Sequence, residues 1–361
     1  MKKLWLEIKP IIFLFITWRL VLVGIHAVGF MIFTPHETFW GPIRWANFDG
    51  IHYLTIAKEH YYQYQQAFFP LYPLLIRLLS WVTRVPEVWV AVGISHVSMI
   101  FGLYFFYKLS QRYRKHNGLW CIILFLLFPT SFFFASVYPE SLYFALASGA
   151  LYALEKRWWW WAGLAGMLAS GTRLFGVYLL MPAIFEYSLV KKKQIKDILG
   201  LGLIPLGLVV YMIYLWQTVG DPLAFFHVQS AFGANRSGGQ LIFLPQVLWR
   251  YLKILLTVDP SSFSYMIASI ELLTFIFTIY LLVRGLQSKL KLSLLLYATA
   301  VVVTPTLTGT LSSFPRYLLA AFPLFFVLDS LSERTKILLA ILFGLTLIYF
   351  ASAFLQGYFV A

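Results

Sequence analysis

The sequence predicts an all-helical, polytopic membrane protein folded as a single domain over residues 1–361, and three observations predict it. Of its residues 60% are hydrophobic and only 12% charged, where a soluble domain carries about 45–50% and about 25%. Mean hydropathy is +0.78. The apolar residues gather in runs matched to a hydrocarbon core of roughly 30 Å, which takes about 20 residues to cross. Lysines and arginines outnumber acids 28 to 14, a net charge of +14. On a soluble chain that surplus would suggest nucleic acid; on this one it belongs to the loops that face a lipid bilayer, and no nucleic acid partner is expected.

Apolar runs fall near 11–33, 88–107, 119–136, 141–155, 158–171, 174–190, 197–218, 263–283, 291–311, 317–331 and 336–356, which gives about 11 transmembrane helices. The first run carries Arg19, is long for a signal-peptide core and lacks a following small-residue cleavage site, so it reads as a retained span. Two further stretches, 68–84 and 244–258, contain Arg77 and Arg84, or Arg250 and Lys253. Charge decides how they lie. If both rest on the outer surface as interfacial helices, the cytoplasmic loops receive 18 of the 28 cations. These are Lys2, Lys3, Lys9, Lys108, Arg112, Arg114, Lys115, Lys156, Arg157, Lys191, Lys192, Lys193, Lys196, Arg284, Lys289, Lys291, Arg334 and Lys336. If 68–84 crosses, the loops at 108–116 and 191–196 fall outside, against the positive-inside bias.

This topology leaves two large outer loops, 34–87 and 219–262, and places any active site on the extracytoplasmic side of a multi-pass cell-membrane protein. No internal repeat of the kind that marks many transporters is visible. Trp158 to Trp161 lies at an expected interface and reads as an aromatic belt. Cys121 is the single cysteine and sits within an apolar run, so it forms no intrachain disulfide and reads as a packing residue.

The first outer loop is the densest source of chemistry. It runs Arg44-Trp45-Ala46-Asn47-Phe48-Asp49-Gly50-Ile51-His52-Tyr53 and ends in Ala67-Phe68-Phe69-Pro70-Leu71-Tyr72-Pro73. Asp49 is a carboxylate among aromatics, where partial desolvation would make it a better proton acceptor. Helical spacing puts His52 and Tyr53 on its face. The competing reading is that Asp49 caps the following helix. Arg173, after Gly171-Thr172, is a cation at membrane depth, suited to a phosphate or to a structural salt bridge with Glu140. Arg316 in Ser313-Phe314-Pro315-Arg316-Tyr317 offers a second phosphate contact, and Arg236 in Asn235-Arg236-Ser237-Gly238-Gly239 either closes over substrate or is a solvated loop charge. Glu140 begins a span, where it serves as a helix-start acid or as a second acid of the site. No metal site is assigned; a divalent cation held by His52 or His60 with Asp49 or Glu59 stays an alternative, short of the three or four ligands such a site wants.

The run from Trp45 to Pro73 resembles the first luminal loop of PIG-V-type mannosyltransferases, a family of the GT-C glycosyltransferase superfamily. The likeness continues at Phe128-Pro129-Thr130-Ser131, Ala135-Ser136-Val137-Tyr138-Pro139-Glu140-Ser141, Ala169-Ser170-Gly171-Thr172-Arg173-Leu174-Phe175-Gly176, Ser313-Phe314-Pro315-Arg316-Tyr317 and Phe322-Pro323-Leu324-Phe325. The resemblance implies a GT-C fold and inverting transfer of a sugar, mannose in the family, from a polyprenyl- or dolichyl-phosphate donor to a glycolipid or glycan acceptor. It also implies a catalytic Asp in this loop, which falls on Asp49. Phe48 departs from the Trp often found before that Asp, keeping a ring but losing the indole N–H. Trp45, His52, Tyr53, Glu140, Arg173, Arg236 and Arg316 are the expected substrate-binding residues. The alternative from another class is a transporter or flippase of lipid-linked envelope precursors.

Overall fold

A computed structural model describes residues 2–36, 43–112, 118–233 and 236–360. Arg114, Lys115 and Asn235, which figure in the charge map and loop motifs, lie outside the described residues. The regular structure is helical: α1 (Lys2–Val28), α2 (Asp49–Lys58), α3 (Leu71–Thr83), α4 (Glu87–Ser110), α5 (Leu119–Leu127), α6 (Glu140–Glu155), α7 (Trp159–Thr172), α8 (Leu180–Ser188), α9 (Ile195–Leu201), α10 (Leu206–Val219), α11 (Ala224–His227), α12 (Leu244–Thr257), α13 (Phe263–Gln287), α14 (Leu292–Thr306), α15 (Phe314–Ala320) and α16 (Glu333–Leu355). Proline marks many of the starts. Pro70, Pro86, Pro139 and Pro205 occupy the cap positions of α3, α4, α6 and α10, where a missing N–H costs no helical bond.

Among the described residues four helical stretches are long and apolar enough to cross a membrane: Glu7–Met31, Glu87–Ser110, Phe263–Gln287 and Glu333–Leu355. α9 and α10 qualify together but are bent by 52°. The other apolar runs are helical yet interrupted. Tight 3-10 segments at Ser131–Ala135, Leu174–Leu179 and Phe322–Ser330 replace α-helix where unbroken runs are expected. Irregular backbone in an apolar protein is tolerated only where other protein covers it, and Phe132, Phe133, Leu179, Leu324 and Phe325 are indeed fully buried.

Exposure tells which helices meet lipid. Phe13, Ile16 and Leu20 on α1, Val97 and Phe101 on α4, Leu273 and Ile276 on α13, and Leu338, Ile341 and Leu345 on α16 are open apolar side chains. Apolar surface this extensive has no favourable contact with water. α6 is the opposite case: packed between α4 and α7, it buries Tyr143, Phe144, Ala147, Leu151 and Leu154. Around it Phe106, Phe125, Phe134, Phe322 and Phe325 form an interlocked aromatic core, with Phe106–Phe125 stacked at 5.0 Å and Phe125–Phe325 edge-on at 5.0 Å.

Small residues set the closest packing. A Cβ on Gly163 of α7 would strike the carbonyl oxygen of Gly200 on α9, the kind of backbone approach that lets helices associate without a hydrophobic driving force. We expect Gly163→Ala to destabilise the bundle by about 1–3 kcal/mol, read as a lower unfolding midpoint in detergent. Gly24→Ala on α1, with nothing within 4 Å of its Cβ, is the control and should be neutral or slightly stabilising. Equal behaviour of the two variants would contradict the packing account.

The bundle has two chemically different ends. At one, the ends of α4, α6 and α8 meet the start of α14 through ion pairs: Arg112 and Lys291 both contact Glu155, and Lys291 reaches Glu186 at 2.8 Å. Lys108 pairs with Glu7 at 2.8 Å. At the other, the starts of α2, α6 and α15 and the last residues of α7 converge on a cavity.

Candidate functional site

The first loop is pinned before its helix begins. Trp45 accepts a backbone bond from Val137 at 2.9 Å, Asn47 donates to the Phe354 carbonyl at 2.9 Å, and the Tyr138 hydroxyl donates to the Asn47 carbonyl at 2.9 Å. Gly50 permits this docking, because a Cβ there would sit 3.2 Å from the Val137 carbonyl oxygen. α2 is fixed at its far end by Arg77 of α3, which donates to the carbonyls of Ala57 at 2.6 Å and Ile56 at 2.9 Å. Such a cation satisfies carbonyls that a helix end leaves open.

Phe48, not Asp49, holds the cap position of α2, with φ of 56° and no side-chain cap bond. Asp49 is the first helical residue, and its carboxylate points elsewhere. Its Oδ2 accepts a 2.7 Å bond from Nη1 of Arg316. Arg316 uses Nε to contact Glu140 Oε1, and Arg173 contacts the same Glu140 oxygen through Nη1. The guanidinium of Arg316 lies 5.0 Å above the Phe133 ring and 4.8 Å from that of Tyr138, a favourable seat for a cation. Two arginines and two carboxylates therefore form one chain of contacts with no net charge. Glu140 is 3% exposed, Arg316 9%, Arg173 14% and Asp49 25%. The two inner members are the most buried and the two ends, Arg173 and above all Asp49, are the most open to a ligand.

That opening is a cavity of about 290 Å³. Asp49, Tyr53, Arg173, Arg236 and Arg316 supply its polar wall, and Phe68, Phe69, Phe225, Phe226 and Phe232 much of its apolar one. Arg236 reaches the hydroxyls of Ser312 and Ser313 only at 3.4 and 3.3 Å. Among the described residues it has no carboxylate within ion-pair distance. A cation facing an aromatic-lined hollow with so little holding it is suited to an incoming anion.

Sequence reasoning placed eight residues here, and the structure separates them. Asp49, Tyr53, Arg173, Arg236 and Arg316 line the cavity, and Glu140 lies behind it as the shared carboxylate. Trp45 does not reach it. Its indole is buried, stacked on His26 at 5.9 Å with the Arg19 guanidinium 4.8 Å away, so it secures the loop to α1. His52 stacks on Phe68 at 4.8 Å and lies 3.2 Å from the Gln65 amide; burial holds its imidazole below the ordinary histidine value. His60 lies near Arg77 at 3.4 Å and Glu59 accepts from the Tyr62 hydroxyl. No three of the His, Cys, Asp and Glu side chains among the described residues gather as metal ligands.

One acid at the site escaped the sequence reading. Glu271 on α13 is buried, accepts from the Tyr251 hydroxyl at 2.6 Å and the Ser313 N–H at 2.9 Å, and so anchors the turn leading into α15 and Arg316. Its signal was a lone acid inside the apolar run 263–283, which by itself marks a functional candidate.

Fold and site together define an integral membrane protein with a charged cavity at one end of a helical bundle. A family model described as Mannosyltransferase (PIG-V) matches residues 27–224, more than half of the chain, and the protein belongs to that family. The matched stretch includes Asp49, Glu140 and Arg173; Arg236, Glu271 and Arg316 lie beyond it. Comparison with curated proteins and with solved structures gave no match. The family and the apolar helices make the protein a multi-pass membrane glycosyltransferase.

Proposed function

We propose that the protein transfers mannose from a polyprenyl- or dolichyl-phosphate donor to an acceptor hydroxyl, with inversion, at the extracytoplasmic face of the cell membrane. The reading rests on one observation: Asp49 lines a charged cavity with one oxygen held by Arg316 and the other, Oδ1, without a partner among the described residues. The acceptor oxygen attacks the anomeric carbon, the bond from that carbon to the phosphate oxygen breaks, and the acceptor proton passes to Asp49. Phosphate is a good leaving group, so charge stabilisation matters more than protonation. Arg236 and the unpaired side of the Arg173 guanidinium meet the phosphate, and the aromatic wall takes the first units of the lipid. Arg316 is engaged on both flanks by carboxylates and acts as the residue that aims Asp49. This revises the expectation of Arg316 as a phosphate ligand.

We take the fold as GT-C, with about 11 membrane crossings if the interrupted helices cross as broken spans. Positive-inside bias puts the end bearing Arg112, Lys291 and Lys108 in the cytoplasm and the Asp49 cavity opposite. Two measurements test this. Membranes given a panel of polyprenyl-phosphate sugars should yield a mannosylated product of inverted anomeric configuration; retention of configuration, or direct use of a nucleotide sugar, would defeat it. A His60→Cys variant should react with an impermeant thiol reagent on intact cells, and labelling only after lysis would reverse the orientation.

A further inference from the structure

A second, larger cavity adjoins the first. It measures about 1060 Å³ and is bounded by α12, the first turns of α13, the segment Gly309–Ser312 and the chain at Gly357–Phe359. Phe359 lines both cavities. Phe48 lines the larger one while its neighbour Asp49 lines the smaller, and the rings of Phe48 and Phe359 meet edge-on at 5.5 Å. At Phe48–Asp49, Thr308–Gly309 and Ser312–Ser313 one residue lines one space and its neighbour the other, so the two cavities adjoin across these segments. The transfer proposed above places the donor in the smaller cavity and assigns nothing to the larger.

The larger cavity is polar in a directed way. Arg250 and Lys253, nearly one helical turn apart on α12, both face into it. Arg250 donates to the Gly309 carbonyl at 2.8 Å, and neither cation has a carboxylate within ion-pair distance among the described residues. The acid in this wall is Glu271, whose two oxygens are taken by Tyr251 and Ser313. The opposite face of α12 exposes Trp249, Leu252 and Leu256. A helix with cations towards a cavity and apolar side chains towards the surroundings lies along a lipid–water boundary. Phe263 and Ile267, on a helix long and apolar enough to span, continue the wall. Cations at the boundary and an apolar wall leading away from them match the two halves of an anionic amphiphile.

We propose that this second cavity receives the acceptor, an amphiphile whose anionic head lies against Arg250 and Lys253 and whose chains follow α12 and the start of α13. Its hydroxyl passes between Phe48 and Phe359 to reach Asp49; this step rests on the reading of Asp49 as the base. The probe is a phosphatidylglycerol with a photoactivatable acyl chain, added to the full-length protein in phosphatidylcholine nanodiscs. Crosslinks are expected on the 254–271 segment. They should fall about fivefold or more in Lys253→Glu, persist in Asp49→Asn, and resist millimolar inorganic phosphate. Lys253 is exposed and makes no ion pair here, so its reversal spares the fold; Arg250→Gln supplies a second, independent variant. Labelling that ignores both substitutions, or that maps to the Arg236 cavity, overturns the proposal. Displacement by inorganic phosphate would mark a free-anion site and overturn it as well. Full transfer activity in Asp49→Asn with the crosslinks unchanged would remove the base and leave the cavity standing, so the two failures are distinguishable.

Discussion

Asp49→Asn is expected to lower mannosyl transfer by about 10²–10⁴-fold, the contribution of a positioned general base, while expression and membrane insertion stay normal. The amide keeps the shape of the carboxylate and can still accept from Arg316 through its oxygen, so the loss isolates proton acceptance from packing. Because Asp49 is partly open and lies at the start of α2, the substitution leaves no buried charge unpaired except one arm of Arg316, which retains Glu140. Transfer of labelled sugar from polyprenyl-phosphate mannose into product, compared at equal protein in membranes, reads the effect. Activity within a few-fold of the parent would end the proposal that Asp49 is the base.

The second large effect belongs to Arg316. Arg316→Met strips Asp49 of its counter-ion and leaves the deeply buried Glu140 with Arg173 alone, and breaking a buried pair in this way costs about 3–5 kcal/mol. Thermal unfolding in detergent should show it directly. Arg316→Lys keeps the charge, yet one ammonium cannot reproduce a guanidinium that meets Asp49 through Nη1 and Glu140 through Nε while lying over two rings. Transfer should therefore fall in Arg316→Lys even where the protein remains folded. Glu140 keeps Arg173 in the Arg316→Met variant, so adding Asp49→Asn to it should recover part of the lost stability, since that removes the carboxylate left without a partner. Parental activity in Arg316→Lys, or additive losses in the double variant, would count against the shared-carboxylate arrangement.

The sequence disclosed which side chains were unusual far better than it disclosed whom they would meet. Asp49, Glu140, Arg173 and Arg316 stood out because ionisable groups bordering apolar runs are costly without a purpose. Their pairing depends on packing among segments separated by up to 267 residues, which periodicity does not record. Trp45 and His52 were drawn to the site by their nearness to Asp49 in the sequence, whereas their rings turn to α1 and to Phe68. The helical class followed from composition. Unbroken spans did not follow, because a hydropathy run reads the same whether its backbone is α-helix or is interrupted as at Leu174–Leu179 and Phe322–Ser330. Only burial by neighbouring elements makes such breaks affordable. Glu271 was visible as a lone acid inside an apolar run, but its partners Tyr251 and Ser313 were not.

The polar residues at the heart of the molecule are contributed by stretches that leave the ribosome at very different times. Asp49 emerges early, Glu140 is soon followed by Arg173, and the arginine that holds Asp49 emerges 267 residues after it, in the Phe314–Ala320 segment. Until then the growing chain carries Asp49 without its counterweight, and the cavity stays unfinished. Truncations anywhere before residue 316 should lose both catalysis and durability in one step.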